Sequence, residues 1–177
     1  MPKNWNLGNL NDINYPYSTI YFLKDVITDK IDKAILSVVQ RDGRVTNQSL
    51  AEQVNLSTAP CWRRLSKLEN RGVVDRYVAL LNRERVGLSV MVYIHVSLND
   101  HNANTVEVFD RFVEQSTNIL ECYSVSGEYD YLLRVVAVDV NALEFFLMKK
   151  LLKLEPVRSA NTSFVLKQKK YSTALPI

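Results

Sequence analysis

Residues 56–69 read "LSTAPCWRRLSKLE", and Arg63, Arg64, Lys67 and the nearby Arg71 stand there against one acid, Glu69. Guanidinium and ammonium groups at this density suit a polyanion, because they neutralise phosphates and release condensed counterions. The start of the stretch fits the same chemistry. Ser57 reads as a helix N-cap whose hydroxyl can satisfy an orphan N–H. Pro60 falls in the first turn, where its missing N–H breaks no intrahelical bond. Free amides and the dipole at such an end favour a phosphate. On a helical wheel Cys61, Leu65 and Leu68 share one face, while Ala59, Arg63, Ser66, Lys67 and Asn70 lie roughly opposite. The first face is core; the second is wet or bound. Trp62 is lateral and reads as packing at the core's edge.

Other reactive side chains are sparse. His95 falls on a strand pattern and His101 in a polar loop, neither with a nucleophile or metal ligand beside it in sequence. Cys61 and Cys122 sit far apart with no second Cys or His nearby, so they form neither a disulfide framework nor a metal motif. No catalytic set, metal or cofactor is expected. "SVSGEYDY", residues 124–131, reads on its own as a tight hairpin connection with Gly127 at the turn.

Something must position the basic helix. From Asp29, apolar residues Ile31, Ile35, Leu36, Val38 and Val39 recur at helical spacing, with Gly43 as a stop. Thr46 caps a short second helix through Leu50, Ala51 and Val54, and Asn55 ends it. After a very short turn the third helix starts at Ser57 and closes at Gly72. Three short helices with a tight turn between the last two describe a helix-turn-helix. That context turns a basic face, bland on an isolated helix, into a reader of duplex DNA. The candidate contacts are Thr46, Ser57, Thr58, Ala59, Arg63, Arg64, Ser66 and Lys67. "VVDRYVALLN", residues 73–82, alternates enough to be a strand.

The second half changes rhythm. Val90, Val92, Ile94, Val96 and Leu98 alternate with Met91, Tyr93, His95 and Ser97, a strand with two different faces. Residues 104–116 read as a helix. "ILECYSVSGEYDYLLRVVAV" reads as two strands joined near Gly127, Asp139 opens another helix, and "SFVLKQKKY" reads as the last strand. The order βαββαβ is the ferredoxin-like split pattern. The fold class is therefore α+β: a winged-type helix-turn-helix domain over 28–75, a linker strand over 76–87 and a ferredoxin-like domain over 88–171. Residues 1–27 read as an irregular arm, able to pack on a partner subunit through Trp5, Tyr17, Tyr21 and Phe22, and 172–177 as a C-terminal tail.

Charge follows this division. The whole chain carries a formal +3, but residues 1–87 hold 13 Lys+Arg against 9 Asp+Glu, and residues 88–177 hold 9 against 10. The basic surplus lies in the half expected to meet DNA. No run approaches the ~18 to 20 apolar residues that span a bilayer, and the N-terminus lacks the order of a secretory signal. A cytoplasmic protein that makes no use of a membrane is expected.

The stretches "DKIDKAILSVVQRDGRVTNQSLAEQVNLSTAPCWRRLSKLENRGVVDRYVALLN" and "ECYSVSGEYDYLLRVVAVD" together resemble the leucine-responsive regulatory protein/asparagine-regulator (Lrp/AsnC) family of transcription factors. The resemblance runs from about Thr28 to about Tyr171; residues 1–27 are extra, and Thr58 stands where many members have proline. It implies a regulator of amino-acid metabolism, a homodimer formed through the sheet of the second domain, and assembly into higher oligomers, often octamers. It also implies that a free amino acid binds between subunits at the 124–131 loop. Ser124, Ser126, Gly127, Tyr129, Asp130 and Tyr131 are then the effector candidates. Asp130 would accept from the ammonium, and Ser126 with amides around Gly127 would donate to the carboxylate. Leucine, methionine or another apolar amino acid is the first expectation. Two other readings stay open: a sirohaem-decarboxylase-like enzyme, whose family resembles this one in both domains, and a constitutive DNA-architectural protein without effector.

Overall fold

The computed structural model describes residues 29–177. The arm over 1–27 and its partner contacts lie outside the described residues. The chain forms two compact units: one reaches to Ala79 and takes in Ser172–Ile177, and the other is Leu80–Tyr171.

The first unit holds α1 (Lys30–Val39), α2 (Asn47–Gln53) and α3 (Thr58–Asn70). Each start has a chemical reason. Asp29 Oδ1 accepts from the Ile31 amide at 2.8 Å, and Thr46 Oγ1 from the Ser49 amide at 3.2 Å, so each cap satisfies a donor that the helix leaves free. Asn55 turns the chain between α2 and α3 at φ 54, a conformation Asn tolerates better than most residues. Gly72 ends α3 at φ 68, with its own amide on Glu69 O at 2.9 Å and the Val73 amide on Leu68 O at 3.0 Å. That pair of wrap-back bonds is a Schellman motif. Ile35, Leu36, Val39, Leu50, Ala51, Cys61, Leu65 and Leu68 close one core among the three helices. The 172–177 segment docks here too: the Gln40 side chain donates to Leu175 O at 3.1 Å and accepts from the Leu175 amide at 2.8 Å.

The strand expected over 73–82 does not form. After a bend at Val73 and Val74 its residues take no regular structure and pair with no neighbouring strand among the described residues, and Val78, Leu80 and Leu81 are exposed. Alternation supplies strand geometry, whereas a strand also needs a partner for its amides and carbonyls.

The second unit runs β1 (Val90–Leu98), α4 (Ala103–Gln115), β2 (Ile119–Ser124), β3 (Tyr131–Ala137), α5 (Val140–Lys149), a 3-10 turn (Leu151–Lys153) and β4 (Val157–Phe164). The sheet is antiparallel in the order β2-β3-β1-β4, so the βαββαβ expectation holds. Asn102 and Asp139 cap α4 and α5 through the Thr105 and Ala142 amides, at 2.9 and 2.7 Å. Val92, Ile94, Val96, Leu98, Leu133 and Val135 pack with Phe109, Leu143 and Phe146 into the core.

The last strand is displaced from the expected 163–171. β4 is fixed by its register on β1, from Val157 opposite Leu98 to Phe164 opposite Val92. The sequence "VRSANTSF" is poor in apolar residues because little of this strand enters the core: only Val157 in it is buried. Just beyond Phe164 the Val165 amide still donates to Met91 O at 3.0 Å.

Candidate nucleic-acid interface and effector loop

Cys61, Leu65 and Leu68 fasten α3 to the core, being 1%, 9% and 3% exposed, and this fixes which face turns outward. Ala59, Arg63, Lys67 and Asn70 are exposed and Ser66 is half-buried, as the wheel requires. Arg63 and Lys67 have no ion pair among the described residues. Their charges are available to a ligand.

Arg64 differs. Its Nη1 lies 2.8 Å from Asp32 Oδ1 and 2.7 Å from Asp29 Oδ2. Asp32, then Asp29, pushes the guanidinium above its ordinary range, while Asp29 is held below the usual carboxylate value by the Ile31 amide, with Arg64 adding to the effect. Arg64, expected as a DNA contact, is engaged in tying α3 to the start of α1. The wheel places it on the flank, and the partners are 32 and 35 residues away in sequence, where no local pattern shows them.

Ser57 occupies the N-cap position with extended backbone, yet its hydroxyl makes no capping bond. A capping hydroxyl accepts from the amide two or three residues on, and three residues on stands Pro60, which has no N–H. Pro60 thus removes one of the two amides open to such a cap, the Ala59 amide is not taken up either, and the expected cap bond does not form. Thr46 shows the reverse: its oxygen is engaged in capping α2. Thr58 and Ala59 lie exposed in the first turn of α3. Trp62, expected at the core's edge, is 53% exposed and belongs to no core cluster.

Alongside α3, Tyr77 donates to Glu69 Oε1 at 2.7 Å. Burial, followed by this bond to a carboxylate, pushes the phenol up to about 12. The one acid near the basic face is thus held by a neighbour.

In the second unit the 124–131 connection is a tight loop, as expected. Gly127 adopts φ 126, a region that favours glycine, and the Val125 amide donates to Asp130 O at 2.9 Å. Ser124, Ser126 and Gly127 are exposed; Tyr129, Asp130 and Tyr131 are half-buried. The Tyr129 ring lies 4.9 Å from that of His95, and the Tyr131 ring 4.6 Å from Phe109, under α4.

Asp130 is already occupied within the subunit. Oδ2 accepts from the Leu98 amide at 2.8 Å, and Oδ1 meets His101 Nε2 at 2.8 Å. The β1–β3 pairing ends at Val96 opposite Tyr131, so the carboxylate takes over the amide that a longer β3 would have bonded. His101, read in sequence as a polar-loop residue with no nucleophile or metal ligand beside it, belongs to this cluster. The two residues are 29 positions apart, and nothing local in the sequence signals their contact.

Among the described residues no group of His, Cys, Asp and Glu is placed to hold a metal ion, and no helix is long and apolar enough to cross a membrane. Burial pushes both thiols up, Cys122 to about 11.

Comparison with known proteins matches both halves. Residues 28–75 fit a family model described as winged helix-turn-helix DNA-binding, and residues 91–175 fit one described as the Lrp/AsnC ligand binding domain. The chain is 36% identical over 149 residues to the DNA-binding transcriptional activator DecR of Escherichia coli (strain K12), covering 84% of this chain and 98% of that protein. It is 37% identical to the leucine-responsive regulatory protein of the same strain, over 84% and 91% of the two chains. Among solved structures, a transcriptional regulator from Neisseria meningitidis in complex with L-Met superposes with a TM-score of 0.83 at 42% identity, over 85% of this chain and 97% of that one. An AsnC family regulator from Agrobacterium tumefaciens gives 0.80 at 38%, over 84% and 97%.

Proposed function

Because this chain belongs to the Lrp/AsnC family of transcriptional regulators, we propose that it reads specific duplex DNA with α3 and is switched by a free amino acid. The observation that carries the DNA reading is the outward face of α3. Arg63 and Lys67 project there without ion-pair partners among the described residues, beside Ser66, Ala59 and Thr58, while the open Ser57 hydroxyl stands at the helix start. Phosphate contacts from such groups set register, and contacts to base edges supply sequence. Arg64 supports the same face indirectly by fixing α3 against α1.

The effector is leucine, methionine or a similar apolar amino acid, held at the 124–131 loop between subunits. The methionine-bound regulator from Neisseria meningitidis supports this choice. Ser126 and the amides around Gly127 are open to donate to a carboxylate. Asp130 is the acceptor for the ammonium, through the oxygen it shares with His101. Tight binding alone shifts nothing; the amino acid must prefer one arrangement of subunits. A coupling of ~1 to 3 kcal/mol would change operator affinity roughly five- to 150-fold.

The working form is a cytoplasmic homodimer that assembles further, toward an octamer. A two-fold dimer reads a pseudo-palindrome with half-sites about 10 bp, or a multiple of that, apart. The test is selection of bound duplexes from a randomised pool by the full chain, with and without each amino acid. Enrichment of a pseudo-palindromic sequence, altered by one or a few apolar amino acids, supports the proposal. No enrichment overturns it.

A further inference from the structure

Trp62 is the large apolar side chain that the three-helix core leaves out. Leu65 and Cys61 on the same helix are buried, yet Trp62 is 53% exposed and absent from both the buried core and the apolar residues packed against it. Among the described residues no aromatic ring or cation engages it. Tryptophan is highly buried on average, and this indole stands in water on the flank of α3, between the buried Cys61/Leu65 side and the outward Ala59/Ser66 side, where a ligand of the outward face can reach it.

Its position says which ligand. Helix geometry makes Thr58, Ala59 and Ser66 its surface neighbours, at i−4, i−3 and i+4. All three are small, so nothing tall shields the ring. A helical side chain leans toward the N-terminus, which carries the indole over Thr58 and Ala59, the end of a recognition helix that meets base edges. The chemistry of the ring then selects the base. Indole offers an apolar face and one N–H donor and accepts nothing. In the major groove the apolar group is the thymine C5 methyl, and acceptors lie beside it at thymine O4 and purine N7.

We infer that Trp62 is a specificity-determining residue, reading a thymine methyl in the major groove. The inference rests on the proposal that α3 binds duplex DNA and names which side chain of that face reads sequence. Arg63 and Lys67 supply charge; Trp62 supplies choice.

Thymine-to-uracil replacement tests it, because it removes one methyl group and leaves base pairing intact. The probe is a duplex enriched by the full chain from a randomised pool, with each thymine replaced in turn. Wild type should lose about fourfold at one thymine per half-site, the worth of roughly one buried methyl group. Trp62→Ala should bind the thymine and uracil duplexes equally, with an unchanged salt slope. Trp62→Phe, which keeps an apolar ring, should retain the preference.

Failure can occur at distinct levels. If no duplex is enriched, the DNA-reading proposal falls and takes this inference with it. If a duplex is enriched but Trp62→Ala keeps the wild-type thymine dependence, or wild type has none, only the role of Trp62 is overturned. If Trp62→Ala melts well below wild type, the indole is a packing residue and the inference is wrong.

Discussion

Arg64 reaches from α3 to Asp32 on α1, with Nη1 and Oδ1 2.8 Å apart. One of the two adjacent arginines is therefore a brace within the head, and the other, Arg63, is free to meet a ligand. Arg64→Ala should lower the thermal stability of the head while leaving the slope of log affinity against log salt unchanged. Arg63→Ala should do the opposite: unchanged melting and a slope smaller by about one. Thermal denaturation and salt-dependent gel shifts on both variants check the division of labour.

The same brace predicts a pH dependence. Asp29 is held below the usual carboxylate value of 3.8, first by the Ile31 amide and also by Arg64. A depressed folded-state pKa stabilises the protein above the unfolded value, and that stability is lost as pH falls through the folded value. Asp29→Asn keeps a capping oxygen and removes the charge. Wild type should therefore exceed Asp29→Asn in melting temperature from neutral pH down to about 4, with the gap closing on further acidification. A gap that persists at the lowest pH would contradict the assignment.

The two caps of the helix-turn-helix should respond differently. Thr46→Ala removes a bond actually made to the Ser49 amide and should cost about 1 kcal/mol. Ser57→Ala removes no capping bond and should leave melting within a few tenths of a kcal/mol of wild type, while weakening DNA binding if the open hydroxyl meets a phosphate. Chemical denaturation of both variants measures the contrast.

These contrasts show where sequence reading reached its limit. Local signals placed the helix starts at Thr46 and Asp139, the Gly72 and Gly127 turns, the buried face of α3 and the βαββαβ order, because each depends on spacing within a few residues. What it missed depends on distant chain: the Arg64 brace, the His101–Asp130 contact, and the register of β1 that sets β4 over Val157–Phe164. The Ser57 cap is a different case. Pro60 was read correctly as tolerated at the helix start, but its missing amide also removes one of the two partners that the Ser57 hydroxyl could have accepted from. The exposed Trp62 could not be placed from the wheel, because a flanking position turns inward or outward according to how the neighbouring helices pack.

Asp130 needs two substitutions to separate its roles. Asp130→Ala leaves the Leu98 amide without its acceptor and should destabilise the second unit by about 1 to 3 kcal/mol, the cost of an unmade bond at a part-buried donor. Asp130→Asn keeps an oxygen for that amide and removes the charge. It should fold nearly as wild type yet lose the response to the amino acid. Calorimetry against apolar amino acids, run beside denaturation, reads both effects. A normal response in Asp130→Asn would take this carboxylate out of the effector site.

The central claim is that the outward face of α3 binds duplex DNA through charges unpaired among the described residues, and Lys67 tests it most directly. Affinity of wild type and Lys67→Ala for an enriched duplex should be titrated at several salt concentrations. Lys67→Ala should fold as wild type, bind more weakly, and show a salt slope smaller by about one. Equal affinity and equal slope for the two proteins would contradict the account.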